Sequence, residues 1–287
     1  MKEKYFLALI FLCNILLKYW RLGTYPKLFD PVFFNYRLLS STGNILVIII
    51  FYYYIKGKFG SIKLALLSSL IFTTLPLTIV ESRIASSYSL ILFLFMLIIL
   101  ISSWIRLFYL RVCLLLLIII SISLIYPQIW QGQFYTLITP LKYISNFFEL
   151  MSFDLLFFKN ESFYWGGIRE TGLLYLFMLP LFLSGIYTFI VTQKYKPLLL
   201  FLLIFAIIPL APLFPENRAV YFSIPLLSLI VATGLIRLLT QKVHSRTILI
   251  GSLTGFFVYE FILFLHFYFI HYQKQVIEFH NKITGPF

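Results

Sequence analysis

Four groups of ionisable side chains border or interrupt long apolar runs, and their types and spacing point to definite chemistry. Segment 21–37, RLGTYPKLFDPVFFNYR, sets one carboxylate, Asp30, among Arg21, Lys27 and Arg37. A carboxylate among cations stays ionised and can take a proton from a hydroxyl, as a general base does. The plainer alternative is a solvated loop acid whose Pro31 ends the turn. Glu81-Ser82-Arg83 places an acid and a guanidinium two residues apart. That is either a structural clasp or, with Glu81 in support, a fork by which Arg83 grips phosphate oxygens. Pro215-Glu216-Asn217-Arg218 forces Arg218 to the edge of an apolar run, where it snorkels to lipid headgroups or meets a substrate phosphate. The fourth group sets Lys142, Lys159 and Arg169 against Glu149, Asp154, Glu161 and Glu170; with one more acid than base, that face as a whole is a poor phosphate trap.

Other candidates are weaker. Glu260 follows Tyr259 and precedes His266 by six residues inside an apolar run, a place for an internal hydrogen bond or a proton relay. His271 and His280 lack a ligand spacing. Cys13 and Cys113 both fall in apolar runs and form neither a disulfide framework nor a metal motif. No glycine-rich phosphate loop, H-E-x-x-H helix or nucleophile elbow occurs. No cofactor is expected from these residues, a divalent metal stays open, and an enzyme built on them needs a substrate already in the membrane.

The elements that must position these residues are apolar. Of the 287 residues, 61% are hydrophobic and 11% charged, against about 45–50% and about 25% in soluble domains. Nine apolar stretches, at 5–20, 38–55, 62–80, 84–105, 112–127, 171–193, 197–213, 219–236 and 247–270, mostly reach the roughly 17–25 residues that cross a bilayer as a helix. Their connections alternate in sign. One set holds Lys2, Lys4, Lys56, Lys58, Lys63, Arg106, Arg111, Lys194, Lys196, Arg237, Lys242 and Arg246 with the single acid Glu3; the other holds nearly all remaining acids. The positive-inside rule then puts the N-terminus in the cytoplasm and the polar candidates on the extracytoplasmic face of the plasma membrane. The net charge of +13 is explained by inner helix ends facing anionic headgroups, so nucleic acid is not an expected partner. The first run is followed by Lys18, Trp20 and Arg21 with no small-residue cleavage site, which reads as a retained anchor. Aromatic rings at the ends of runs fit interfacial belts. Loops 21–37 and 128–170 and the tail 271–287 lie outside. Within the second loop, 142–158 spaces Phe147, Leu150, Met151, Leu155 and Phe158 as a helix lying in the interface. No internal repeat is visible. The expectation is a single all-α membrane domain over 1–287, a helical bundle of about nine spans.

Five stretches, in order, resemble a known family. Trp20–Pro26, WRLGTYP, is similar to the end of the first helix in GT-C membrane glycosyltransferases, and more narrowly in family 39, the protein O-mannosyltransferase and lipid A aminoarabinose transferase relatives. Residues 36–55 resemble that family's second helix. PLTIVESRIASSYSL, 76–90, resembles its "SPLHIQFSRIA…YSL" turn. NFFELMSFDLLFFKNESFYWGGIRETGLLYLFMLPLFLSGIY, 146–187, resembles the "YLSHFSPDFLFFKGD…GVGLLYLFELPLLLLGLY" of a prokaryotic subgroup. Residues 209–235 resemble "IPAAL…RYLLPALPPLLLLAALGL", with Arg218 and Pro225 keeping the family's gap of seven.

The resemblance implies a GT-C fold and an inverting transfer of a sugar from a polyprenyl-phosphate carrier to a hydroxyl of a lipid, glycan or protein acceptor outside the membrane. It gives Asp30 the base role by position, and makes Arg83 and Arg218 the cations that offset charge on the departing phosphate, with Lys159 contributing from the "LFFK" match and Arg37 and Glu81 in support. The chain departs from the pattern in three ways. Pro31 stands where the family usually has a second acid, the first loop is far shorter, and one or two spans between 111 and 140 and the outer C-terminal domain have no counterpart. A non-catalytic relative that binds lipid phosphate or serves as a partner subunit is the first alternative. A transporter is the second, though Glu260 is the only acid deep in a run and no inverted repeat is evident.

Overall fold

A computed structural model describes residues 2–20, 31–83, 88–104, 140–158, 172–193, 195, 198–199, 202, 205–206, 218–240 and 246–271. Among these, every regular element is a helix. α1 spans Lys2–Tyr19, α2 Pro31–Phe59, α3 Ile62–Thr74, α4 Pro76–Arg83 and α5 Tyr88–Trp104. α6 covers Pro140–Leu150, α7 Leu179–Val191, α8 Ile224–Thr240 and α9 Arg246–His266. Short turns of other pitch lead into α7 (Leu176–Met178) and α8 (Arg218–Ser223), and a π-turn, Phe267–His271, continues α9.

Three helical stretches are long and apolar enough to cross a membrane, Asn35–Phe59, Val220–Thr240 and Thr247–His271; α3 and α4 together make a fourth, bent by 61°. The shorter apolar helices Tyr5–Tyr19, Ser89–Ile101 and Leu176–Val191 stand beside them. Nine spans are therefore not what the described residues show. The expected run at 112–127 lies outside them, as does nearly all of 197–213.

Two boundaries differ from expectation. Pro31 opens α2, where a missing N–H costs nothing and a fixed φ suits the first helical turn. Seven residues assigned to the first outer loop, 31–37, are thus helical. The single interfacial helix expected over 142–158 is instead α6 followed by a separate turn, Asp154–Phe158. Ser152 accepts the Leu155 N–H at 3.1 Å and starts the new turn. Leu173 and Leu174 pair with that turn, Leu173 N–H to the Leu155 carbonyl at 3.1 Å and Leu174 N–H to the Leu156 carbonyl at 2.8 Å. Of the expected apolar stripe, Leu150 and Leu155 are buried while Phe158 is exposed.

Packing follows the small residues. α7 and α8 cross with backbones in contact: a Cβ on Gly185 would lie 2.0 Å from the Ile230 carbonyl oxygen, and one on Gly234 1.8 Å from that of Leu181. Such close crossings are how helices associate where no hydrophobic effect drives them together. One turn further on, Arg237 lays its guanidinium 4.2 Å from the Tyr187 ring and reaches Thr188. Between α2 and α3, Gly60 takes the left-handed conformation (φ 64°) that closes α2, and Ser61 caps α3 by accepting the Leu64 N–H. α3 breaks at Leu75–Pro76, where proline cannot continue the ladder; the Tyr175 hydroxyl binds the Thr74 carbonyl at 2.8 Å there. α9 is peripheral: only 6% of its spanning window is buried, against 61% for α2 and for the α8 span.

Candidate functional site

A polar cluster lies at one end of this bundle, where the last turn of α1, the first turns of α2, all of α4 and the start of α8 converge. Charged side chains are almost never fully buried unless paired or functional. Among the described residues four are here: Lys18, Glu81 and Arg83 with no exposed surface, and Arg37 at 3%. The cluster thus holds three cations and one carboxylate.

The local sequence explains how each arrives. On α2, Arg37, Ser40, Ser41 and Asn44 recur at helical spacing and are all buried, while Tyr36, Leu38 and Leu39 are exposed. Ser40 donates to the Glu81 carbonyl at 3.0 Å and Ser41 to the Ser82 carbonyl at 2.6 Å. These two bonds fasten the end of α4 to α2 and supply partners for two carbonyls of its last turn. Bending at Pro76 turns α4 inward, so Glu81-Ser82-Arg83 is completely buried.

Arg83 is the centre. Its Nη1 donates to the Leu17 carbonyl at 2.9 Å and the Lys18 carbonyl at 3.3 Å. Its guanidinium lies 5.2 Å from the Phe269 ring and 5.8 Å from the Tyr268 ring, on the turn that continues α9, with the Tyr268 hydroxyl within reach. Nε and Nη2 make no hydrogen bond among the described residues. Those two nitrogens form the edge of a guanidinium that takes a carboxylate or phosphate bidentately. Arg37 is within electrostatic reach of both Arg83 and Tyr268.

Lys18 completes the cluster. Its ammonium donates to Asn44 Oδ1, and Asn44 Nδ2 donates to the Tyr221 hydroxyl. Glu81 and Ser89 lie close enough to Tyr221 to act on it. Asn14, one turn before Lys18, is fully buried with both amide atoms unpartnered among the described residues.

Of the residues singled out from the sequence, Arg37, Glu81 and Arg83 come together here. Asp30 and Lys159 lie outside the described residues, and for Arg218 only the backbone is described, opening the turn that carries Tyr221. Glu149 and Asp154 are exposed, away from the cluster. Glu260 accepts the Phe177 N–H at 3.4 Å, the internal hydrogen bond rather than a chain of titratable groups. Sequence reasoning passed over Lys18, Asn44 and Tyr221. A signal existed for the first: an ionisable residue at the end of an apolar run, where charge is expensive without a purpose. Asn44 and Tyr221 carry none.

Further along the bundle, a cavity of about 230 Å³ opens between α9 and the α3, α7 and α8 helices. Leu67, Leu70, Phe177, Val231, Leu253 and Phe257 are among its walls, with Thr74 and Thr254 the polar exceptions. Val231 is ten residues beyond Tyr221 on α8, ~15 Å at the helical rise. No protein-family model matches the chain, nor does any curated protein or solved structure.

Proposed function

We propose that the chain is a membrane glycosyltransferase of GT-C type that takes a sugar from a polyprenyl-phosphate carrier, with the polar cluster holding the carrier's phosphate. The observation that carries this is the Nε–Nη2 edge of Arg83, buried and unpartnered among the described residues, in a site with three cations and one acid. Taking cations out of water costs several kcal/mol per ion. A phosphate ester supplies the missing negative charge and the geometry that a guanidinium fork fits. In a departing lipid phosphate that same charge grows, so cations fixed in place stabilise the transition state more than the ground state. The apolar cavity between α9 and the bundle supports a lipid ligand, since it offers hydrocarbon walls about three helical turns from the charged end.

The proposed orientation rests on the charge bias: Lys56, Lys58 and Arg237 end α2 and α8 at the pole opposite the cluster, which supports reading the cluster as extracytoplasmic in a plasma-membrane protein. Asp30, directly before α2, is the proposed base toward an acceptor hydroxyl of a lipid, glycan or protein. Arg218, which opens the Tyr221 turn, and Lys159 are the further phosphate contacts. A second reading has one observation in its favour. The cations are in place while the cluster is closed over Arg83, which suits a non-catalytic subunit that holds lipid phosphate.

The deciding experiment follows sugar transfer from polyprenyl-phosphate donors by purified protein in liposomes, parent against Asp30→Asn. Loss of a general base lowers turnover about 10²–10⁴-fold. Donor binding without turnover in the parent selects the second reading, and parental turnover in Asp30→Asn removes Asp30 from the base role.

A further inference from the structure

Lys18 is the one lysine among the described residues with no exposed surface. An ammonium carries three donors, and Asn44 Oδ1 takes one of them. Asn44 is itself fixed at its other end by donating to Tyr221. The amide cannot turn away, so it holds the ammonium in one place. Arg83 Nη1, bound to the carbonyls of Leu17 and Lys18, locks the same turn of α1 against α4. That contact consumes one nitrogen of the guanidinium and leaves the Nε–Nη2 edge unpartnered among the described residues. Asn14, on the same face one turn earlier, has both amide atoms in the same condition. Nothing in a neutral packing role for Lys18 calls for a buried ammonium here; a methionine would fill the space without desolvating a charge.

We propose that Lys18 is a phosphate-binding residue. Its ammonium, presented by Asn44, and the Nε–Nη2 edge of Arg83 hold one anionic headgroup, the phosphate ester of a polyprenyl lipid, with Asn44 as positioning residue. This rests on the reading that the cluster takes a lipid phosphate. It assigns the second point of attachment, on α1.

Asn44→Asp separates this role from a structural one. It is nearly isosteric, still accepts from Lys18, exchanges the amide's donation to Tyr221 for a bond accepted from that hydroxyl, and supplies an internal carboxylate that neutralises the ammonium. A Lys18 that only packs is unharmed by it; a Lys18 that binds phosphate loses its ligand to the new carboxylate. Protein in phosphatidylcholine nanodiscs is titrated with undecaprenyl phosphate and, separately, with undecaprenol. The parent is expected to prefer the phosphate form by about tenfold or more. Asn44→Asp and Lys18→Met are expected to lose that preference, and Lys18→Arg to keep it, with the melting temperature of Asn44→Asp no lower than the parent's. Parental phosphate preference in Asn44→Asp overturns the assignment of Lys18 while leaving Arg83 as a phosphate site. A parent that does not distinguish the two lipids overturns the phosphate reading itself. If Lys18→Met fails to fold, Asn44→Asp decides alone.

Discussion

Arg83 donates from Nη1 to the backbone carbonyl of Lys18 at 3.3 Å, so a side chain at the end of α4 holds the very residue whose ammonium faces α2. Helix α1 is thereby fastened at its polar end by a guanidinium rather than by apolar contact alone. Arg83→Lys keeps the charge but lacks the planar fork that serves two carbonyls with one nitrogen and offers a bidentate edge with the others. A charge-assisted hydrogen bond contributes about 1.5–3 kcal/mol, so polyprenyl-phosphate affinity in Arg83→Lys is expected to fall by about 10–100-fold. Titration of the lipid into the variant checks this; an unchanged affinity removes Arg83 from the site.

The glycine crossing of α7 and α8 gives a stability contrast within one protein. At Gly234 and Gly185 a methyl group would meet backbone oxygen at 1.8 and 2.0 Å. Backbone cannot swing aside as a side chain does, and overpacking typically costs about 1–3 kcal/mol. Gly251 and Gly255 on α9 have open space around an added Cβ, where alanine is favoured in a helix by about 0.5–1 kcal/mol. Thermal unfolding should therefore show Gly234→Ala and Gly185→Ala lowered, and Gly251→Ala and Gly255→Ala level or raised. Equal melting temperatures in all four would mean α7 and α8 do not cross on these residues.

At the break between α3 and α4, Tyr175→Phe removes the hydroxyl that binds the Thr74 carbonyl. The ring stays among Phe257, Phe261 and Phe264, so the loss isolates one hydrogen bond, about 0.5–1.5 kcal/mol or somewhat more with a buried carbonyl left unpaired. A melting temperature equal to the parent's would show that the carbonyl finds another partner.

At the opposite pole, Lys56 donates to Glu3 at 2.6 Å and the Tyr52 hydroxyl donates to the same oxygen. The Lys56 hydrogen bond first, then that from Tyr52, hold the Glu3 carboxyl below its ordinary range. A depressed carboxyl adds stability above its unfolded pKa and loses it as pH falls through the lowered folded value. The α1–α2 contact should thus weaken on acidification below the usual carboxylate range, and Glu3→Gln should flatten that part of the profile. Both residues are partly exposed, so the effect is small and shrinks further in salt.

The helical class and its apolar character were readable in the sequence because hydrophobic runs of span length have few other uses. The bends were harder. Pro76 lay inside what read as one run, 62–80, and only packing shows that the chain bends there, that α4 folds inward and that Glu81 and Arg83 are taken out of contact with solvent. The first loop was carried through Pro31 to residue 37, although a proline's fixed φ suits the start of a helix equally well. At 142–158 the spacing of Leu150 and Leu155 fitted one helix; the Ser152 cap and the pairing with Leu173 and Leu174, far along the chain, decided for two pieces. The cluster was half legible: Arg37, Glu81 and Arg83 announce themselves as charges, whereas Asn44 and Tyr221 matter only through partners 26 and 177 residues away.

One consequence concerns α9. Its spanning residues are solvated almost wholly by whatever surrounds the bundle, yet Tyr268 and Phe269 on its continuing turn flank the Arg83 guanidinium. A helix with so little of its spanning surface packed against protein adjusts its tilt to the thickness of the surrounding hydrocarbon. Thin and thick bilayers, or short- and long-chain detergents, therefore set the two rings at different heights against the arginine, and acyl-chain length becomes a variable of the charged site itself.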